Sequence, residues 1–348
     1  MTEAHHALEL FPRDIEAIVA EIGLKQFAAK QILKWIYDKK VESTSAMTNI
    51  AKEQRQLLSK QLLFRRSTLV STKKASDGTI KKLLAWDGGT KQTETVMIPS
   101  KGRRTACVSS QVGCPVRCTF CASGIGGLEG NLSAGQIVEQ VVSLGATQIT
   151  NVVFMGMGEP MANYSAVTRA IRILNAPWGL GIGARRITVS TVGLPAAIKR
   201  FATFDIPVTL ALSLHAPNDE LRKQLIPWAD FAPIEELLIA CGIYFESTGR
   251  EITLEYLLIH GINDRVAHAK ELVGLCKSIR CNVNLIRYNE VPELSFIRPQ
   301  TQQVRRFQEV LTKAGVNTHI RASRGRDIAA ACGQLRREHQ AITTGESS

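Results

Sequence analysis

Cys107-Val-Ser-Ser-Gln-Val-Gly-Cys114-Pro-Val-Arg-Cys118-Thr-Phe-Cys121 places three cysteines, Cys114, Cys118 and Cys121, in a C-x3-C-x2-C loop directly after a predicted strand at residues 106–109. Three thiolates on so short a loop can converge on one soft metal centre. Tetrahedral zinc normally needs a fourth protein ligand, which His215 or another cysteine could supply. A [4Fe–4S] cluster held by three cysteines instead leaves one iron open to an external ligand. The position of the loop favours the second arrangement, because it follows a first strand and opens a long βα array.

That array runs from Thr105 onward. Apolar stretches at residues 152–155, 187–191, 208–213, 252–259, 283–287 and 318–321 read as strands. Between them, residues 133–144, 164–174, 195–201, 234–241 and 266–279 have helical periodicity. Repeated β-then-α order implies right-handed crossovers and a parallel sheet, either open or curled into a barrel.

Upstream, the pattern differs. Ile15, Ile18, Val19 and Ile22, then Ile32, Leu33, Trp35 and Ile36, then residues 50–63 mark three short helices. Residues 69–72 and 80–86 flank Ala75-Ser76-Asp77-Gly78, an Asp-Gly hairpin turn, and residues 93–98 form a further strand ending at Pro99. The division expected is a helical accessory unit at 1–66, a hairpin-and-strand connector at 67–99, and a core at 100–348 with a frayed Gly345-Glu346-Ser347-Ser348 tail.

Composition sets the class. The chain has 348 residues and is 45% hydrophobic, which supports a sizeable core and excludes wholesale disorder; aromatics are 6%, so that core is aliphatic. Forty-three Lys and Arg against 31 Asp and Glu favour a polyanionic partner. Basic residues at Arg65-Arg66, Lys73-Lys74, Lys81-Lys82, Lys101, Arg103-Arg104, Arg321, Arg324, Arg326 and Arg336-Arg337 suit an RNA phosphate track. No apolar run approaches the length of a membrane span, and residues 1–10 lack a leader pattern. A cytosolic protein with eight cysteines then suggests metal binding, catalysis or burial rather than a disulfide scaffold. Cys241 and Cys276 fall at apolar helical positions, as structural thiols do.

The cysteine spacing resembles that of the radical S-adenosylmethionine (SAM) superfamily. Cys107 to Cys114, Gly156-Met157-Gly158-Glu159-Pro160, Ser213-Leu214-His215-Ala216-Pro217 and Ala331-Cys332-Gly333-Gln334-Leu335 narrow the likeness to the RlmN/Cfr RNA methyltransferases, over almost the whole chain. The resemblance implies a partial (β/α)6 radical SAM barrel with a small N-terminal helical accessory domain. It also implies methylation of an aromatic carbon of adenine in RNA.

Physics and resemblance can be read side by side. Two glycines after the strand at 152–155 let a ligand approach the backbone, and Glu159 can accept from an ammonium; alone, the motif would read as a turn with a solvated Glu. Ser190, Ser213, His215 and Asn289 follow strands at the ligand end of a parallel sheet, where Ser and Asn otherwise cap helices. The resemblance assigns Gly158, Glu159, Ser190, Ser213, Leu214, His215 and Asn289 to SAM, and Cys114, Cys118 and Cys121 to the cluster. It makes Cys332 the methyl-carrying cysteine and Cys107 its resolving partner through a transient disulfide. It places a proton-accepting base at Glu94, otherwise an ordinary strand residue.

The implied reaction uses two SAM molecules. One methylates Cys332 by displacement; the other yields the radical that activates this methyl group toward adenine. Implied partners are rRNA, with tRNA modified by some members, and an external electron donor of the flavodoxin or ferredoxin type. The chain is expected to act as a cytoplasmic monomer. Base rates favour C2 of adenine over the C8 chosen by a resistance branch. A zinc-dependent RNA-binding protein is the alternative of another class.

Overall fold

The computed structural model describes residues 4–145 and 149–335; Arg336-Arg337 and the tail lie outside the described residues. Ten strands form one sheet, β1 (Thr68–Lys74), β2 (Ile80–Trp86), β3 (Lys91–Ser100), β4 (Arg103–Cys107), β5 (Asn151–Phe154), β6 (Ile187–Thr191), β7 (Thr209–Ser213), β8 (Ile252–Leu258), β9 (Cys281–Arg287) and β10 (Thr318–Arg321). They neighbour one another in chain order, and β1 does not pair with β10. The barrel is therefore open along one side.

β1 to β4 are an antiparallel meander, and β4 through β10 are mutually parallel. Each parallel connection returns through helix: α4 (Ala134–Ser143), α5 (Tyr164–Asn175), α6 (Pro195–Ala202), α7 (Asp219–Leu225) with α8 (Ile234–Thr248), α9 (Val266–Cys276) and α10 (Thr301–Lys313). That makes six βα units, the expected partial (β/α)6 barrel. β8 is buried at all seven positions, as a strand covered on both faces must be. Cys241 and Cys276 lie buried in the main core.

Several boundaries differ from the expected ones. β3 runs through Pro99 to Ser100, because β2 begins only at Ile80, opposite Met97, and leaves that side of the strand open beyond it. The expected connector is the antiparallel extension of the main sheet. α8 continues seven residues beyond the expected stop, burying Tyr244, and ends at Gly249 with φ 66°. α7 and α10 were absent from the pattern; α10 buries Val304, Phe307 and Leu311, a stripe too thin to stand out in a polar helix.

Three helices precede the sheet: α1 (Pro12–Glu21), α2 (Ala28–Tyr37) and α3 (Lys52–Gln61). Their apolar faces share one continuous core with the barrel helices. Phe11 and Tyr37 both meet Trp178 edge-on, and Arg169 on α5 donates to the Glu9 carbonyl and pairs with Asp14 at 2.9 Å. Glu139 on α4 accepts from the Arg66 and Ser67 amides, each at 3.0 Å, and lies 3.2 Å from His6. Among the described residues, no helix is long and apolar enough to cross a membrane.

Candidate active site

The three-cysteine loop springs from a two-stranded hairpin, Gln111–Gly113 with Leu128–Asn131, and is shaped by its own backbone. The Cys114 amide donates to the Gly127 carbonyl at 3.0 Å, the Cys121 amide to Cys118 at 3.1 Å, and Arg117 between them is left-handed at φ 57°. All three thiols open on one cleft at the C-terminal ends of the parallel strands. Burial, and then the neighbouring cysteines and Glu159, push the Cys114 thiol up to about 12 and Cys118 well above its ordinary value; burial also raises Cys121.

Three half-buried thiols that hinder each other's ionisation suit a cationic soft-metal centre, which would hold them as thiolates. Among the described residues, no three His, Cys, Asp or Glu side chains are arranged to close on one metal ion. This donor set fits a multi-iron cluster, with one thiolate per iron, better than a tetrahedral zinc. His215 is no spare zinc ligand either. Its Nδ1 accepts from the Leu257 amide at 3.1 Å, its ring meets Phe120 edge-on, and burial followed by Arg222 lowers it to about 3. Arg222, itself buried, lies close enough to Cys118 to favour the thiolate. That cation was not anticipated; an arginine in a short polar helix reads as surface.

The opposite wall is the loop after β5. Gly158 has φ 101°, and a Cβ there would stand 2.6 Å from the Gln111 side chain and 2.7 Å from Ser110 Oγ. Only glycine lets this loop lie against the hairpin that carries the cysteines. The Glu159 amide donates to Gln111 Oε1 at 2.8 Å. The Glu159 carboxylate is 2% exposed and accepts from two amides, Met161 on Oε1 and Val192 on Oε2, each at 2.9 Å. Burial raises its pKa, against the lowering effect of these donors and the Thr191 hydroxyl. Ser190 and Ser213 pair their hydroxyls at 3.0 Å on adjacent strand ends and line the same cleft.

Two expected SAM residues are not among the side chains lining this cleft. The Leu214 side chain is buried in the main core, so its backbone alone faces the strand ends. Asn289 lines the adjoining cavity, donating to the Cys332 carbonyl at 3.2 Å and accepting from Arg298 at 2.9 Å.

Cys332 occupies the boundary between the cleft and a smaller cavity that Cys107 lines. Its loop is held to the cysteine loop: the Ala122 amide donates to Gly333 at 2.8 Å, and Ser123 Oγ to Leu335 at 2.7 Å. Burial, then Cys332, pushes the Cys107 thiol up to about 12. Glu94 borders neither cavity. It is 1% exposed and paired with Lys81 at 2.6 Å, on the sheet face that carries Cys107.

Lys81 and Arg321 correct the expected phosphate track. Lys81 is 3% exposed, and Arg321 lines both cavities while pairing with buried Glu255 at 3.2 Å. Cys332 and then Glu255 raise the Arg321 pKa further. Glu255, unforeseen, had a visible signal: a lone carboxylate inside the apolar run Ile252-Thr253-Leu254-Glu255-Tyr256-Leu257-Leu258.

Residues 108–273 match the radical SAM superfamily, and residues 7–63 match the ribosomal RNA large subunit methyltransferase N-terminal domain. A probable dual-specificity RNA methyltransferase RlmN from Thermoanaerobacter sp. (strain X514) is 44% identical over 330 residues, 94% of this chain and 96% of its own length. Its counterpart from Gloeobacter violaceus is 45% identical over 318 residues, 90% of each chain. A crystal structure of a radical SAM methyltransferase from Sphaerobacter thermophilus superposes with a TM-score of 0.92 at 44% identity, covering 96% of this chain and 99% of that one. Alike in both segments and over nearly its whole length, the chain belongs to the RlmN family of radical SAM RNA methyltransferases.

Proposed function

We propose that the chain methylates C2 of an adenine in 23S rRNA, takes a tRNA adenine as a second substrate, and works through a methyl group carried on Cys332. The observation that carries this reading is the position of Cys332, on the wall shared by the three-cysteine cleft and the Cys107 cavity. The dual specificity in the names of the similar proteins supports the two RNA substrates.

Cys114, Cys118 and Cys121 would hold the cluster; Gly158, Glu159, Ser190, Ser213, the Leu214 backbone, His215 and Asn289 would hold SAM. When bound, these groups supply a carbon-centred radical and the methyl group. Cys332 takes the methyl on sulfur and loses its proton. After one hydrogen atom is removed from it, the methyl carbon bonds to the adenine ring. The ring radical then returns one electron to the electron carrier, matching the one spent in forming the radical, and the ring proton goes to Glu94. Cys107 attacks the Cys332 sulfur, the freed carbon takes up a proton, and a disulfide remains for an external reductant. One SAM serves Cys332 and a second the radical, so two are used per turnover. A flavodoxin- or ferredoxin-type donor supplies electrons in the cytoplasm, and the chain acts as a monomer.

The test is to incubate the reconstituted enzyme anaerobically with RNA, SAM and reductant and identify the methyladenosine isomer by mass spectrometry. 2-Methyladenosine is expected. 8-Methyladenosine would move the chain to the other regiochemistry, and no methylated adenine would sink the reading.

A further inference from the structure

Lys81, Val96 and Cys107 lie directly across from one another on three adjacent strands, since Lys81 pairs with Val96 and Val96 with Cys107. Residues in such a row project from the same face of the sheet. Glu94 lies two residues from Val96 and so shares that face. This is the face on which the segment leading to Cys332 lies, with Val96, Cys107, Ala330 and Leu335 packed together.

A lysine at 3% exposure on a strand is costly to bury, and pairing it with a carboxylate at 1% exposure seldom yields net stability. This ammonium has a third participant. Lys81 Nζ stands 2.6 Å from Glu94 Oε1 and donates to the Ala329 carbonyl at 3.0 Å, three residues before Cys332. Ala329 is left-handed at φ 50°, an unfavourable conformation for alanine, so its carbonyl direction is imposed by the surroundings.

Other contacts already anchor the segment. At its start, the Ser76 amide donates to Asp327 at 2.9 Å and the Gly325 amide to Asp77 at 3.1 Å. Beyond Cys332, Gly333 and Leu335 are tied to the cysteine loop. Cys332 would therefore keep its place without Lys81. What would be lost is the link that Lys81 makes between its segment and Glu94.

We propose that Lys81 is a positioning residue for RNA methylation: it joins Glu94 to the Cys332 segment, so that the base and the carbon carrier keep one register. The inference rests on Glu94 serving as the base. It separates the two halves of the reaction. Methylation of Cys332 needs no base on the ring, whereas release from the adduct does.

The experiment uses full-length, cluster-loaded enzyme as Lys81→Met, Glu94→Gln and the double variant. Cys332 methylation is read by mass spectrometry with SAM alone, methyladenosine formation with RNA added, and RNA–protein adduct on denaturing gels. Lys81→Met is expected to methylate Cys332 to near the wild-type extent and to accumulate adduct. It should lose about 100-fold or more in methyladenosine formation, the size of a general-base contribution. Because Lys81 acts through Glu94, the double variant should be no worse than the poorer single variant. Should Lys81→Met unfold through loss of its charge beside buried Glu94, the neutral double variant supplies the comparison. Normal turnover by Lys81→Met with inactive Glu94→Gln overturns the role of Lys81 alone, as do multiplying losses in the double variant. Parallel loss of Cys332 methylation in the folded double variant, with SAM alone, overturns it too. Normal turnover by Glu94→Gln removes the base assignment itself.

Discussion

Glu159→Gln offers the most direct test of where SAM binds. The carboxylate already accepts the Met161 and Val192 amides and the Thr191 hydroxyl, which leaves one of its four lone pairs to accept from a ligand ammonium. Glutamine keeps the shape but presents one NH2 group to an amide donor and removes the charge. A hydrogen bond to a charged group contributes about 1.5–3 kcal/mol, and about 1.4 kcal/mol is a factor of ten. SAM affinity should therefore fall about 10- to 150-fold. The three cysteines stand on a different loop, so iron and sulfide content should be unchanged. Calorimetric titration of SAM into anaerobic, reconstituted protein measures the effect. Wild-type affinity in a folded, cluster-loaded variant would refute the placement, and loss of iron would show that Glu159 supports the cysteine loop instead.

Three further outcomes are expected. Gly158→Ala combines a left-handed backbone with atoms at 2.6–2.8 Å, so it should cost about 2–5 kcal/mol by chemical denaturation; a fully stable variant contradicts the close approach of loop and hairpin. Burial alone would raise Glu139, but the His6 ring 3.2 Å away and hydrogen bonds from Ser67 and the Arg66 amide outweigh it and hold the carboxyl below its ordinary value. Its stabilisation is present above the unfolded carboxyl pKa of about 4.3 and lost as pH falls through the lower folded value. Glu139→Gln should thus cost about 1–3 kcal/mol at neutral pH and flatten the acid dependence, followed by circular dichroism; an unchanged slope argues against this anchor. Finally, Cys107→Ala should still acquire the Cys332 methyl group but stall as an RNA adduct, whereas Cys332→Ala should form neither. Both species are resolved on denaturing gels with nuclease treatment, and normal turnover by Cys107→Ala ends the relay assignment.

Local pattern carried much of this protein. The C-x3-C-x2-C spacing brings three thiols together on one short loop whatever the surroundings, and the alternation of apolar strands with amphipathic helices dictates a parallel βα array. Residues at strand ends, Glu159, Ser190 and Ser213, were readable because a parallel sheet delivers its loops to one side. Tertiary structure decided the rest. The period of two says that Glu94 and Val96 share a face, but not that this face would be covered by the segment of Cys332. Lys81 and Arg321 read as solvated charges because burial is unfavourable without a partner, and their partners, Glu94 and Glu255, stand on other strands. Only strand register could supply those pairings. For the same reason Asn289 faces the Cys332 carbonyl and Leu214 the core: the chain order of the strands was legible, whereas the direction of each side chain beyond the strand end depended on what packed against it.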